Sequence, residues 1–115
     1  MNKNKKSFII NIIIFVVLII LIILATTIFN KKNQTTEGIA KCIGENSVLY
    51  IQLGCHACKT QEDMFGENLN YLEIVDCFYE SKKCQSIKAT PTWKIKGEYY
   101  EGVQSINKLR ELTGC

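Results

Sequence analysis

The chain has 115 residues, a formal net charge of +3 and a hydrophobic content of 47%. This length allows one small domain and excludes two. Five lysines flank an apolar run near the N-terminus, so the rest of the chain is slightly acidic, which argues against nucleic acid as a partner. These lysines are Lys3, Lys5, Lys6, Lys31 and Lys32. Six cysteines, an even number, favour disulfides if the chain leaves the cytosol.

The first predicted element is a membrane-spanning helix. The run from Phe8 to Phe29 is almost entirely apolar, and a helix of this length spans about 30 Å of hydrocarbon. A cleaved signal peptide is the alternative, but its apolar core covers only about 7 to 15 residues and ends in a small-x-small site that is poorly matched here. We therefore expect residues 8–29 to remain as a signal anchor that follows a cytoplasmic segment, residues 1–7.

The orientation of this helix follows from its flanking charges. Three lysines precede the run and two follow it, which favours a cytoplasmic N-terminus. The cysteine content also favours an oxidising compartment for residues 38–115. The polar residues 30–37 form the expected linker, which can extend to at most about 29 Å. The sequence thus predicts an extracytoplasmic domain on a single-pass anchor in the cell membrane.

The domain is expected to alternate helices and strands and to close with a hairpin. Helices are predicted at 38–44, 55–65, 81–88 and from Ser105 onwards, and strands at 47–53, 71–76, 92–96 and 98–101. Gly97 provides the hairpin turn, and Ile106, Leu109 and Leu112 lie on one face of the last helix. This order is typical of an α/β sandwich with a mixed sheet.

The residues Cys55-His56-Ala57-Cys58 stand where a predicted strand gives way to a helix. Unpaired N–H groups and the helix dipole favour a thiolate at Cys55, which is therefore the expected nucleophile. Cys58 lies one turn into the helix and can close a disulfide or resolve a mixed one. His56, when protonated, would further stabilise the Cys55 thiolate, and a stabilised reduced form makes the disulfide more oxidising.

The CxxC spacing also permits zinc, since two such thiolates supply half of a tetrahedral site. The other half would need Cys77 and Cys84, whose spacing is poor for a metal knuckle. An exported domain would also tend to oxidise these thiols. A metal site remains the alternative, but we expect neither a metal nor another bound cofactor.

Together these features resemble the thioredoxin-fold disulfide oxidoreductases. The resemblance rests on the strand, CxxC and helix, on Thr90-Pro91-Thr92-Trp93, on the Gly97 hairpin, and on the ending from Tyr100 to Cys115. Residues 38–115 are most similar to the thioredoxin-like domain that is fused to, or works beside, homologues of vitamin K epoxide reductase. The resemblance implies a mixed four-stranded sheet flanked by helices, and a cis Thr90–Pro91 bond facing Cys55.

Two departures from the family concern the site, and the second of them bears on the direction of electron flow. Gly54 replaces the aromatic residue that usually precedes the first cysteine. Leu49 occupies the position where thioredoxin carries a buried acid that helps to deprotonate the second cysteine. An efficient reductase is therefore less expected, and the oxidising character rests on His56 and the compartment.

The resemblance also bears on the other cysteines. The family often has a second pair at the positions of Cys77 and Cys84, which favours a structural disulfide there; a relay of electrons to or from the CxxC pair is the alternative. Cys42 and Cys115 are left over, and by elimination we expect them to pair.

The function implied by the resemblance is thiol-disulfide exchange outside the cytoplasm. The expected substrates are exported proteins that contain thiols, and the expected source of oxidation is a quinone-linked membrane protein similar to vitamin K epoxide reductase. A reductase or isomerase, for example in cytochrome maturation, is the nearest alternative. A non-catalytic metal-binding module is the alternative from another class.

Overall fold

The structure is a computed structural model that describes residues 2–32 and 35–115. The chain divides into two compact units, residues 1–33 and 34–115. Two residues of the predicted linker, Asn33 and Gln34, lie outside the described residues.

The first unit is one helix, α1 (Lys3–Lys32). Its segment Lys3–Phe29 is long and apolar enough to cross a membrane, and its most apolar 18-residue window has a mean hydropathy of 3.6. The hydroxyl groups of Thr26 and Thr27 each donate a hydrogen bond to a carbonyl oxygen of the preceding turn, so neither is left unpaired in an apolar environment. The helix is longer than predicted at both ends because neither glycine nor proline interrupts it.

The second unit contains a four-stranded mixed sheet in the order β2-β1-β3-β4. The strands are β1 (Ser47–Ile51), β2 (Glu73–Asp76), β3 (Thr92–Ile95) and β4 (Glu98–Glu101). β1 pairs in parallel with β2 and antiparallel with β3, which pairs antiparallel with β4. The mixed α/β architecture expected from the sequence is therefore confirmed.

Helices flank this sheet. They are α2 (Glu37–Glu45), α3 (His56–Asp63) and α4 (Ile106–Thr113), with 3₁₀ helices at Gly66–Tyr71 and Ser81–Cys84. Ser105 caps α4 by accepting a hydrogen bond from the Lys108 N–H at 3.2 Å. A disulfide between Cys42 and Cys115 joins α2 to the residue that follows α4 and Gly114.

The core lies between the sheet and these helices. Its fully buried side chains include Trp93, Phe65, Ile43, Leu49, Ile95 and Leu109. The rings of Phe65 and Trp93 are tilted with centroids 5.9 Å apart, a favourable aromatic arrangement. Phe65, which follows α3, is thus fixed against Trp93 in the middle of β3.

One helix differs from the sequence prediction. Residues 81–88 were expected to be helical, but only Ser81–Cys84 form a helix, of the 3₁₀ type. Lys82 and Lys83 are exposed and supply no apolar face for a longer helix, and the segment is closed by a disulfide between Cys77 and Cys84. A 3₁₀ helix at Gly66–Tyr71 was not expected, and it takes up Tyr71, the first residue of the predicted strand 71–76, so that the strand begins at Glu73. This 3₁₀ helix is held by Asn68, whose amide donates to the Thr35 carbonyl at 2.8 Å.

Replacing each of two glycines of α2 by alanine should change the stability of the fold in opposite directions. A Cβ at Gly44 would lie 2.0 Å from the backbone oxygen of Tyr71, whereas one at Gly38 would meet nothing within 4 Å. We expect Gly44→Ala to reduce the free energy of unfolding by about 2 kcal/mol or more. Gly38→Ala should raise it by up to about 0.5 kcal/mol through helix propensity. Denaturant unfolding of the full chain in detergent, followed by Trp93 fluorescence, measures both, and equal effects would contradict the close packing of α2.

Candidate active site

The candidate site forms where β1 ends and β3 begins. In their antiparallel register Tyr50 pairs with Thr92, so the carboxyl end of β1 lies beside the amino end of β3. After β1 the chain turns sharply, and the Cys55 N–H donates to the Gln52 carbonyl at 3.0 Å. Gly54 in this turn has a φ of +82°, which side chains disfavour. Glycine therefore suits this position better than a residue that carries a side chain.

Cys55 is the N-cap of α3. Its sulfur accepts a hydrogen bond from the Cys58 N–H at 3.1 Å and forms a disulfide with the Cys58 sulfur. Cys55 is half-buried, whereas Cys58 is only 3% exposed. Cys55 is therefore the more accessible of the two cysteines, and its sulfur lies where unpaired helix N–H groups stabilise negative charge.

The segment before β3 forms the opposite side of the site. The Thr90–Pro91 peptide bond is cis, and the Thr90 carbonyl oxygen lies 3.5 Å from the Cys55 sulfur. The Thr92 hydroxyl donates to the Ala89 carbonyl at 2.8 Å, and the Gly102 N–H donates to the Pro91 carbonyl at 2.8 Å. Hydrogen bonds on both sides thus fix this segment next to the cysteine pair.

A surface cleft of about 450 Å³ opens at the disulfide. Its lining includes Cys55, His56, Cys58, Lys59, Glu62 and Asp76. His56 is exposed at this cleft and lies directly between the two cysteines in sequence. The hydrogen bond of Lys59 with Asp63 raises the pKa of Lys59 above its ordinary value. The structure therefore places His56 and an ammonium group on the same cleft as the disulfide.

Asp76, which the sequence analysis did not single out, connects two loops of the site. One of its carboxylate oxygens accepts hydrogen bonds from the Leu53 N–H at 3.2 Å and the Phe78 N–H at 2.9 Å. Leu53 lies two residues before Cys55, and Phe78 follows Cys77. The carboxylate thus joins the turn that leads into α3 to the loop that follows β2.

A second unpredicted feature is the buried side chain of Gln61, one turn beyond Cys58 in α3. Its Oε1 accepts hydrogen bonds from Trp93 Nε1 at 3.0 Å and from the Gln104 N–H at 2.7 Å, while its Nε2 donates to the Gln104 carbonyl at 3.1 Å. Gln61 is fully buried and fully paired. It therefore ties the helix that carries Cys58 to β3, which follows Pro91.

The remaining cysteines form two further disulfides. Cys77 and Cys84 are both half-buried and line a separate hollow of about 230 Å³, together with Gln52 and Thr90. This pair therefore lies near the CxxC site, whereas the Cys42–Cys115 disulfide lines neither cleft. In the described part of the chain, no group of three or more potential metal ligands comes together.

Comparison with known proteins assigns no family to the chain. No known family matches it, and a search of curated proteins likewise found no match. The fold and the site define a mixed α/β domain that carries a CxxC disulfide at a helix N-terminus.

Replacing Gln61 tests the buried connection between α3 and β3. In Gln61→Leu the Trp93 indole and both backbone groups of Gln104 would lose their partners, so we expect the free energy of unfolding to fall by about 3 kcal/mol. Gln85→Leu is the matched control, because Gln85 is exposed, and should change stability by less than about 0.5 kcal/mol. Denaturant unfolding of the full chain measures both, and similar stabilities would show that the Gln61 hydrogen bonds contribute little.

Proposed function

We propose that the chain is a membrane-anchored thiol-disulfide oxidoreductase that forms disulfides in exported proteins. The observation that carries this proposal is the placement of Cys55, an accessible disulfide sulfur that accepts the Cys58 N–H at the start of α3. When the disulfide is reduced, the same N–H and the helix N-terminus stabilise the Cys55 thiolate. A stabilised reduced form favours transfer of electrons from substrate thiols to the disulfide.

The reaction proceeds by two thiolate displacements. A substrate thiolate attacks the Cys55 sulfur, the Cys55–Cys58 bond breaks, and Cys58 leaves with the electron pair and takes up a proton. A second substrate thiolate then attacks the substrate sulfur of the mixed disulfide and releases Cys55 as a thiolate. Two electrons pass from the substrate dithiol to the cysteine pair, and the substrate gains one disulfide.

The domain is proposed to have a thioredoxin-like fold. The strand order β2-β1-β3-β4, the CxxC motif at the start of α3 and the cis Thr90–Pro91 bond beside Cys55 all support this assignment. Residues 38–115 would then be the counterpart of the thioredoxin-like domain that accompanies vitamin K epoxide reductase homologues.

The proposed setting is the outer side of a cell membrane. Residues 8–29 would anchor the chain with residues 1–7 in the cytoplasm and residues 30–37 as a linker. The membrane-length helix and the pairing of all six cysteines in disulfides support an extracytoplasmic domain. Reoxidation would then come from a quinone-linked membrane protein similar to vitamin K epoxide reductase, to which the reduced cysteine pair passes its two electrons.

The environment of Cys58 favours the oxidant over a reductase. Leu49, at the position of the buried acid of thioredoxin, is fully buried and cannot take a proton from the Cys58 thiol. A reductase must deprotonate this second cysteine to release its product, whereas during oxidation of a substrate Cys58 is the leaving group and loses its proton only when the pair is reoxidised. An apolar Leu49 is therefore compatible with the oxidising direction.

The two cysteines should differ in substrate capture. In Cys58→Ala the Cys55 thiolate has no resolving partner, so we expect it to hold substrates as mixed disulfides when oxidised substrate is supplied. Cys55→Ala is the matched control and should trap few substrates, because Cys58 is buried. Non-reducing electrophoresis of the full-length variants with a disulfide-containing peptide separates the outcomes. Stronger capture by Cys55→Ala would reverse the assigned roles.

His56 should contribute to the oxidising character. A protonated imidazole beside Cys55 stabilises the thiolate by about 1 kcal/mol at a partly exposed site. Because about 30 mV corresponds to 1.4 kcal/mol for this couple, His56→Ala should lower the reduction potential by about 20 mV or somewhat more. Equilibration of the full chain with glutathione measures the potential, and alkylation rate against pH measures thiolate formation. No change in either would show that the helix N-terminus alone activates Cys55.

A further inference from the structure

The loop closed by the Cys77–Cys84 disulfide, called here the aromatic loop (residues 77–84), exposes two adjacent aromatic side chains. Phe78 is 58% exposed and Tyr79 is 71% exposed. Their rings contact each other edge to face, with centroids 5.0 Å apart, instead of packing into the core. Two large neighbouring aromatic groups held in solvent indicate an interaction surface.

The aromatic loop is held in place by its backbone. The Cys77 N–H donates to the Ile51 carbonyl at 2.8 Å. Asp76 accepts hydrogen bonds from the loop, at its carboxylate from the Phe78 N–H and at its carbonyl from the Tyr79 N–H at 3.1 Å. The disulfide closes the loop at its other end. The loop therefore loses most of its conformational entropy when the domain folds. Binding through Phe78 and Tyr79 then requires little further ordering.

Lysines accompany the two aromatic residues. Lys82 and Lys83 are exposed and border a shallow hollow together with Tyr79. Glu80 forms an ion pair with Lys83, which leaves Lys82 with no acidic partner among the described residues. Aromatic rings that lie at headgroup level and lysines that attract anionic lipids form the combination that binds a membrane surface.

We propose that the aromatic loop docks onto an anionic lipid surface, with Phe78 and Tyr79 at headgroup level. A bilayer is favoured as the occupant because the same chain carries a membrane-length helix and because Lys82, which has no acidic partner among the described residues, complements anionic headgroups. The proposal rests on the membrane anchoring in the proposed function, but not on its redox chemistry.

Docking through this loop would also orient the cysteine pair. β1 and β2 are parallel, so their carboxyl ends lie side by side. The turn that leads to Cys55 and the aromatic loop therefore leave the sheet at the same end. The Asp76 carboxylate joins the two segments directly. A docked loop would therefore bring Cys55 near the lipid surface, within reach of a redox partner embedded in the membrane.

Lipid-borne quenchers can locate the loop in the full-length protein. The probe is Phe78→Trp in vesicles of brominated phosphatidylcholine with phosphatidylglycerol. The matched control is Tyr99→Trp, because Tyr99 is 44% exposed on β4, at the opposite edge of the sheet. The native Trp93 is fully buried and gives the same background in both variants. We expect quenching at least about twofold stronger for the Phe78→Trp protein than for the control.

A second comparison tests the contribution of charge. In the Phe78→Trp protein, removal of phosphatidylglycerol or the double change Lys82→Ser and Lys83→Ser should weaken the quenching. Equal quenching of the tryptophans at positions 78 and 99 would overturn the proposal. Quenching that is unaffected by anionic lipid would also overturn it. If the tryptophan at position 78 became shielded only after a thiol-containing peptide is added, the occupant would be a polypeptide and the proposal would likewise be overturned.

A redox titration of the same samples separates this inference from the proposed function. If Cys55–Cys58 titrates with glutathione but position 78 is not quenched, the docking proposal alone fails. If position 78 is quenched but Cys55–Cys58 does not titrate, the proposed function alone fails. The same titration shows whether the Phe78→Trp and Tyr99→Trp proteins retain the folded site.

Discussion

The antiparallel pairing of β1 with β3 is the constraint on which the candidate site depends. Because Tyr50 pairs with Thr92, the end of β1 and the start of β3 lie side by side, although about 40 residues separate them in the chain. The turn after β1 brings in Cys55, and the segment before β3 brings in Thr90 and Pro91. A slip by one residue would turn the inward-facing side chains of these strands to the opposite face. The buried Leu49 and Trp93, which are paired across the two strands, oppose such a slip.

Local signals account for most of what the sequence predicted. The apolar run of α1, the change from strand to helix at Cys55 and the glycine of the β3–β4 hairpin each lie within a few residues of the structure that they determine. Gly97, at a φ of +84°, permits a turn that other residues disfavour. Such features depend on backbone conformation and hydrophobic pattern, and both can be read without knowledge of the fold. The proximity of Pro91 to Cys55, by contrast, was expected only from the resemblance to a family.

Contacts between distant residues account for what the sequence did not predict. Gln61 looks like an ordinary exposed helix residue in the sequence, but it is buried because Trp93 and Gln104, far along the chain, supply its hydrogen-bond partners. Asp76 reads as the polar end of a strand until the fold brings the N–H groups of Leu53 and Phe78 to its carboxylate. The short helix at Ser81–Cys84 ends early because the disulfide, and not an apolar face, determines the path of that segment.

The spacing of the cysteines indicates which disulfide is suited to repeated exchange. Cys42 and Cys115 are separated by 73 residues and Cys77 and Cys84 by 7, so loop closure contributes about 4 and about 2 kcal/mol respectively to the stability of the fold. Cys55 and Cys58 are separated by only 3 residues, and their bond constrains the unfolded chain least. The Cys55–Cys58 bond can therefore open with the smallest loss of stability. Hydrogen bonds of Gln61 and packing of Phe65 would still hold α3 against β3 when this bond is open, because neither contact depends on the disulfide.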